Sequence, residues 1–295
     1  MYNTCNVSIC HNEDESKALL EGLKLINAER LITNDDIVMI VPNWVNADKP
    51  HPSSGITVGT NTLRTLIQWV KSLQPKKVVI ATGSGGGNTL EVMQKVGYDK
   101  IIDEEKCEFV DFNTGPYEEL KINHHIITKL KINRVLFEKT KLISFTQLKQ
   151  HEESTMSASI KNVMMSIPST EEHGAPKKDK GIHQDLHGFI AKMAEKVKID
   201  LAIVSCNPAM VGTGPIKGIP FHTGLVICGD NPISTDTIGA RLLGFKPQGV
   251  GYLYLLEQQG LIETDVNKIN IHGLTLKEAE LIFSKRVYGG NITVD

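Results

Sequence analysis

Two short apolar runs, Asp36–Val41 and Val78–Ala81, flank a stretch in which Leu63, Leu66, Ile67, Val70 and Leu73 recur at helical spacing. Strand, amphipathic helix and strand in that order make a βαβ crossover, which joins parallel neighbours. The pattern therefore predicts an α/β fold with a mostly parallel sheet and helices on both faces. A single α/β domain over 1–295 is expected, with two lobes meeting near 145–165 around a cleft as the alternative.

Size and charge narrow the function. A chain of 295 residues that is 40% hydrophobic can bury a substantial core, and a net charge of -2 gives no basic excess for a nucleic-acid backbone. No apolar run approaches the length that spans a bilayer, and Met1–Asn12 lacks the cationic start and apolar core of a leader, so a cytoplasmic protein without a membrane partner is expected. Cys5, Cys10, Cys107, Cys206 and Cys228 are scattered and odd in number, against a disulfide framework. No C-x-x-C pair occurs, so an iron-sulfur cluster or a thiolate zinc site is not expected.

Several loops are candidates for function. Pro42–Gly59, which contains Asn43, is long for a simple connection. The second strand runs into Gly83, Ser84, Gly85, Gly86, Gly87, Asn88 and Thr89 before a helix, a layout that suits a phosphate or carboxylate. It is neither a Walker motif nor a dinucleotide fingerprint, and a flexible turn capped by Asn88 or Thr89 is the plainer reading. A second glycine-rich loop, Asn207–Pro220, holds Gly212, Gly214 and Gly218.

Cations gather after the expected strand Lys141–Phe145. Lys149, His151, Lys161 and Asn162 would form an anion-binding surface in a slightly acidic protein, or else a solvated face. His151 has the reference pKa of a general acid or base. The polar segment Pro168–Gly181 reads as a flap or a plain surface loop. His183 and His187 would share one helix face, but Gln184 stands where a zinc-protease motif needs Glu, so a capped helix start is the stronger reading. His124 and His125, read on a polar hairpin, would face opposite sides of a strand.

Gly224–Phe245 reads as an apolar strand, a turn with Asp230, and a helix carrying Asp236. Carboxylates at a strand-to-helix junction lie where α/β proteins commonly bind ligands. If Asn231 caps the helix and Pro232 opens it, Asp236, Ala240 and Leu243 share a buried stripe, and a buried carboxylate needs a partner: a backbone amide, Arg241, a metal or a substrate. Asp230 reads as the more exposed turn former.

The ordered set Val38-Met-Ile-Val-Pro-Asn43, Gly83-Ser-Gly-Gly-Gly87, Leu148-Lys-Gln-His151, Ser159-Ile-Lys-Asn162, Gly212-Thr-Gly-Pro215 and Gly229-Asp-Asn-Pro-Ile-Ser-Thr-Asp236 resembles the family called domain of unknown function 362. The resemblance covers nearly the whole chain and implicates Pro42, Asn43, Lys149, His151, Lys161, Asn162, Gly214, Asp230 and Asp236. Some members carry a ferredoxin-like module with four-iron clusters; its cysteine runs are absent here. Val41, Thr146 and Ser205 depart from the family's usual Lys, Pro and Asp. The family's layout is also similar to nickel-dependent lactate racemase, without a shared ligand set.

Two classes of function stay open. One is an enzyme for a small anionic metabolite, with Lys149, Lys161, Asn43, Asn162, Gly85, Gly86 and Gly214 binding it, His151 and Asp236 moving protons, and a divalent metal on Asp230 and Asp236 as an addition. The other is a ligand-binding or redox-accessory module without catalysis. Convergence of Lys149, His151, Lys161 and Asp236 would favour the first. Substrate and oligomeric state are not legible.

Overall fold

In a computed structural model describing residues 5–49, 51–260, 265–292 and 294, the apolar runs become strands β1 (Asn6–His11), β2 (Ile37–Pro42), β3 (Lys77–Thr82), β4 (Glu108–Asp111), β5 (Tyr117–Lys121) and β6 (Lys129–Asn133). They continue as β7 (Lys141–His151), β8 (Thr155–Ser157), β9 (Leu201–Val211), β10 (Ile219–Phe221), β11 (Leu225–Gly229) and β12 (Asn270–Gly273). The main sheet runs β12-β1-β11-β9-β7-β2-β3-β4, with β8 and β10 hung on β7 and β9, while β5 and β6 pair separately.

The pairs β2–β3, β2–β7, β3–β4, β7–β9 and β1–β12 are parallel. Only β11 runs against its neighbours along this path, antiparallel to both β9 and β1. Along this path the sheet is thus mostly parallel, as the βαβ pattern requires, with one reversed strand; the short β8 and β10 also run antiparallel to β7 and β9.

Side chains alternate across it. Val38, Ile40, Ile80, Ile143 and Phe145 meet helices Glu15–Leu25 and Thr60–Ser72 on one face. Met39, Val41, Val79, Ala81 and Leu142 meet helices Ser159–Ser166, Leu186–Ala194 and Pro232–Leu242 on the other. A strand buried on both faces reads as a continuous apolar run, which is what β2 and β3 show. Among the described residues, no helix is long and apolar enough to cross a membrane.

Two strands outrun their expected ends, and pairing explains both. β7 continues to His151 because β8 folds back on it, with Lys149 opposite Ser157 and His151 opposite Thr155. β9 continues through Asn207 and Pro208 to Val211 because β10 pairs with Ala209, Met210 and Val211. A local hairpin supplies ladder partners that composition does not reveal.

Candidate functional site

The extension of β7 builds the site. Lys149 and His151 sit two residues apart, so the pleat puts both on the same face. Lys161 comes from the first turn of the Ser159–Ser166 helix, and its Nζ lies 3.1 Å from His151 Nε2. Asn43, just past β2, accepts from Lys149 Nζ at 2.5 Å and donates to Asn162 Oδ1 at 3.2 Å. Asn162 in turn donates to Val41 O at 2.9 Å.

These residues border a cavity of about 300 Å³. Asn43, Gly85, Gly86, His151, Lys161 and Asn162 line it, together with Glu152 and Glu153, with Lys177 and Lys178 from the segment read as a flap or surface loop, and with His183, expected beside His187 on a helix face. Lys149 lies behind the wall, fully buried.

Charge in this cavity is unusual. Among the described residues, the amines of Lys149, Lys161 and Lys177 make no ion pair within 4.0 Å, although all three residues are buried. Burial, together with the field of Lys161, pushes the Lys149 amine down to about 7. Burial pushes Lys161 down to about 8, against the pull of Glu153. Lys177 is pushed down to about 7 by burial, with Asp111 opposing. It donates to Gly83 O at 3.1 Å, Met165 O at 3.3 Å and Ser166 O at 2.8 Å, three acceptors that the three hydrogens of an ammonium satisfy.

The imidazole of His151 is fixed by its surroundings. Its Nδ1 accepts from Glu153 N at 3.1 Å and Ser154 N at 3.4 Å, so that nitrogen carries no proton. In the neutral ring the proton therefore sits on Nε2, aimed at Lys161. Burial and the ammonium groups of Lys161 and Lys149 push the imidazole down to about 2, which keeps it neutral. A ring whose lone pair is committed to the backbone is not a free base, which removes the base half of the acid-or-base role expected of His151 and leaves its Nε2–H as a donor.

The carboxylates stand elsewhere. Because β11 runs backwards, its C-terminal end lies beside the starts of β9 and β1, with Gly229 opposite Ala202 and Val7. Asp230 is buried there rather than exposed, accepting from Asn6 N and Asn6 Nδ2 at 2.9 Å and pairing with Arg30. Asn231 caps the helix and Pro232 opens it, as expected.

Asp236 is fully buried and holds the Ser159–Ser166 helix by its N-terminus. Its Oδ1 accepts from Ser159 N at 2.8 Å and Ser159 Oγ at 2.5 Å, and its Oδ2 accepts from Ile160 N at 3.1 Å and Tyr252 OH at 3.3 Å. Burial pushes its carboxyl up to about 6, those hydrogen bonds opposing. Four donors leave the carboxylate no free lone pair for a proton transfer or a metal. Arg241, the other partner considered, bonds Glu280 instead. The expected divalent site on Asp230 and Asp236 does not fit, because each carboxylate is consumed by its own donors.

The glycine loops also work differently from expectation. Ser84 N donates to Thr89 Oγ1 at 3.1 Å and Gly86 N to Val45 O at 3.0 Å, so these amides do not face a ligand. Asn88 caps the helix, accepting from Glu91 N at 3.1 Å. A Cβ on Gly83 would meet Ser166 O at 2.6 Å and one on Gly214 would meet Gln150 O at 2.0 Å. Both glycines permit close packing, and Pro215 and Ile216 beyond Gly214 line the cavity in its place.

The histidine pairs resolve separately. Asp185 caps the Leu186–Ala194 helix, so His183 lies in the preceding 3-10 segment, 2.9 Å from Glu153 Oε2, while His187 Nδ1 accepts from Tyr252 N. His124 and His125 sit in the turn after β5, not on a strand, and with Asp185 place ligand atoms within 4.8 Å of one another. His124 Nδ1 accepts from Ile127 N at 3.1 Å, so its proton is on Nε2, 3.2 Å from Asp185. An ion would need that same nitrogen, and the group is a hydrogen-bonded His–Asp cluster.

Fold and cavity define an α/β protein with a lysine-rich pocket at the end of its extended central strand. The chain belongs to the family described as Domain of unknown function (DUF362), which matches residues 38–241. It is 23% identical over 270 residues to the thylakoid-associated protein sll1697 of Synechocystis, covering 88% of this chain and 81% of that protein. A solved structure, the lactate racemase apoprotein from Thermoanaerobacterium thermosaccharolyticum, is 18% identical with a TM-score of 0.49, over 79% of this chain and 55% of the racemase.

Proposed function

We propose that the protein is an enzyme acting on a small anionic metabolite bound in the Lys161 cavity. The observation that carries this reading is the group of buried amines, Lys149, Lys161 and Lys177, around one small cavity: among the described residues none of the three has a carboxylate within 4.0 Å, although Glu152 and Glu153 also line the cavity. A buried ammonium is costly unless a counter-charge or hydrogen bonds offset it, and a bound anion would supply the counter-charge. Lys178 and His183 at the rim are balanced by Glu153, so the unpaired positive charge lies inside.

Lys161 is the group that moves a proton in this reading. It stands in the first turn of a helix, where the partial positive charge of the helix end disfavours an ammonium. Its neighbour His151 offers an N–H, which an amine lone pair can accept and an ammonium cannot. Asp236 contributes by holding that helix in place.

The same proposal treats 1–295 as one domain in the cytoplasm. What supports it is that β7 pairs with β2 as far as Phe145 and with β9 as far as Lys149, within one continuous sheet, and that all five thiols are unpaired.

Thermal denaturation with phosphate and with small mono- and dicarboxylates tests the function. The expected result is a rise in Tm for the wild type with at least one of these anions and no rise for Lys161→Met. If none of them stabilises the wild type, the enzyme reading falls and a non-catalytic accessory module takes its place.

A further inference from the structure

The three buried amines differ in what they touch. Lys149 donates to Asn43 Oδ1 and to Ile56 O at 3.0 Å, and Lys177 donates to three carbonyls. Three acceptors hold Lys177 as an ammonium, whereas the two acceptors of Lys149 are met by either protonation state. Lys161 faces the cavity, and its hydrogen-bond partner is the Nε2–H of His151. It is therefore poised as a neutral amine with an N–H donor beside it and the Lys177 ammonium on the wall of the same cavity, and a desolvated amine is an activated nucleophile.

We propose that Lys161 forms an imine with the carbonyl carbon of a small oxo carboxylate. This rests on the reading of the cavity as an anion site and names the class of anion. Rotation about the Cε–Nζ bond releases the lone pair from His151 and turns it on the carbonyl carbon. The new C–N bond forms as the carbonyl π pair moves to oxygen, where the freed Nε2–H of His151 can donate. Both hydrogens of the amine pass to that oxygen, which leaves as water, and the C=N bond remains with no net oxidation or reduction. His151 acts as a positioning residue before attack and an oxygen donor during it. The Lys177 ammonium, on the wall of the same cavity, favours the carboxylate end of the same molecule.

The test is incubation of the full chain with pyruvate and cyanoborohydride near neutral pH, followed by intact mass and peptide mapping. The expected product is one reduced adduct per chain, on Lys161, formed at least about tenfold faster than on exposed lysines. Lactate, which has the carboxylate but no carbonyl, should give none. Adducts spread over exposed lysines with Lys161 unmodified overturn the proposal. If pyruvate and lactate both raise Tm and Lys161 stays unmodified, the imine is wrong and the anion site stands. If neither raises Tm and Lys161 stays unmodified, both fall. Lys161→Met, a side chain of similar length without the amine, should abolish the single adduct while the fold is retained, as judged by circular dichroism.

Discussion

Lys161 Nζ lies 3.1 Å from Nε2 of His151, a ring whose other nitrogen accepts from the backbone of Glu153 and Ser154. The turn after β7 thus decides which nitrogen of His151 is protonated, and through it the state of the amine opposite. An imidazole with two unpaired nitrogens could take either role; this one cannot.

Asp236 should behave as a structural residue. Asp236→Asn replaces one acceptor oxygen with an NH2 group that faces the N–H donors of the Ser159–Ser166 helix, and should cost about 1–3 kcal/mol in urea unfolding. The Tm rise given by whichever anion stabilises the wild type should persist in this variant. Loss of that response with unchanged stability would mean that the carboxylate belongs to the site itself.

The fold was legible where pattern alone decides it. β2, β3 and the helix between them followed from short apolar runs and a helical stripe, and the parallel sheet followed from their order. The reversal of β11 was not legible, because an apolar strand such as Leu225–Gly229 looks the same in either direction. That one reversal moved Asp230 to the opposite end of the sheet from the Lys161 cavity.

Of the site, Asn43, His151, Lys161 and Asn162 were found through their motifs. Lys177 was not, because a lysine in a breaker-rich polar loop carries no sign of burial until three carbonyls close around it.

Lys177 pins the 168–181 segment to the sheet through Gly83 and Ser166. Lys177→Met removes those three bonds, and Gly83→Ala brings a methyl carbon to 2.6 Å from Ser166 O and 3.1 Å from Lys177 Nζ. Both should increase limited proteolysis within 168–181 several-fold over the wild type. Unchanged cleavage in both variants would refute the pin.

Lys149 makes stability depend on pH. Its amine titrates near 10.5 in the unfolded chain and is held down to about 7 in the fold. Between those values the unfolded chain binds the extra proton, so raising the pH from 7 toward 10 should stabilise the fold through this group, by about 3–4 kcal/mol. Chemical denaturation across that range should show a steeper rise for wild type than for Lys149→Met. Equal slopes would show that the amine is not destabilised by burial.

The most direct measurement is a long-range proton–nitrogen spectrum of the protein labelled with 15N histidine, recorded from pH 6 to 8. The account predicts that His151 is neutral throughout, with a bare Nδ1 and a proton on Nε2, as the amides of Glu153 and Ser154 require. A protonated Nδ1, or an imidazolium anywhere in that range, would contradict it and leave Lys161 an ordinary ammonium.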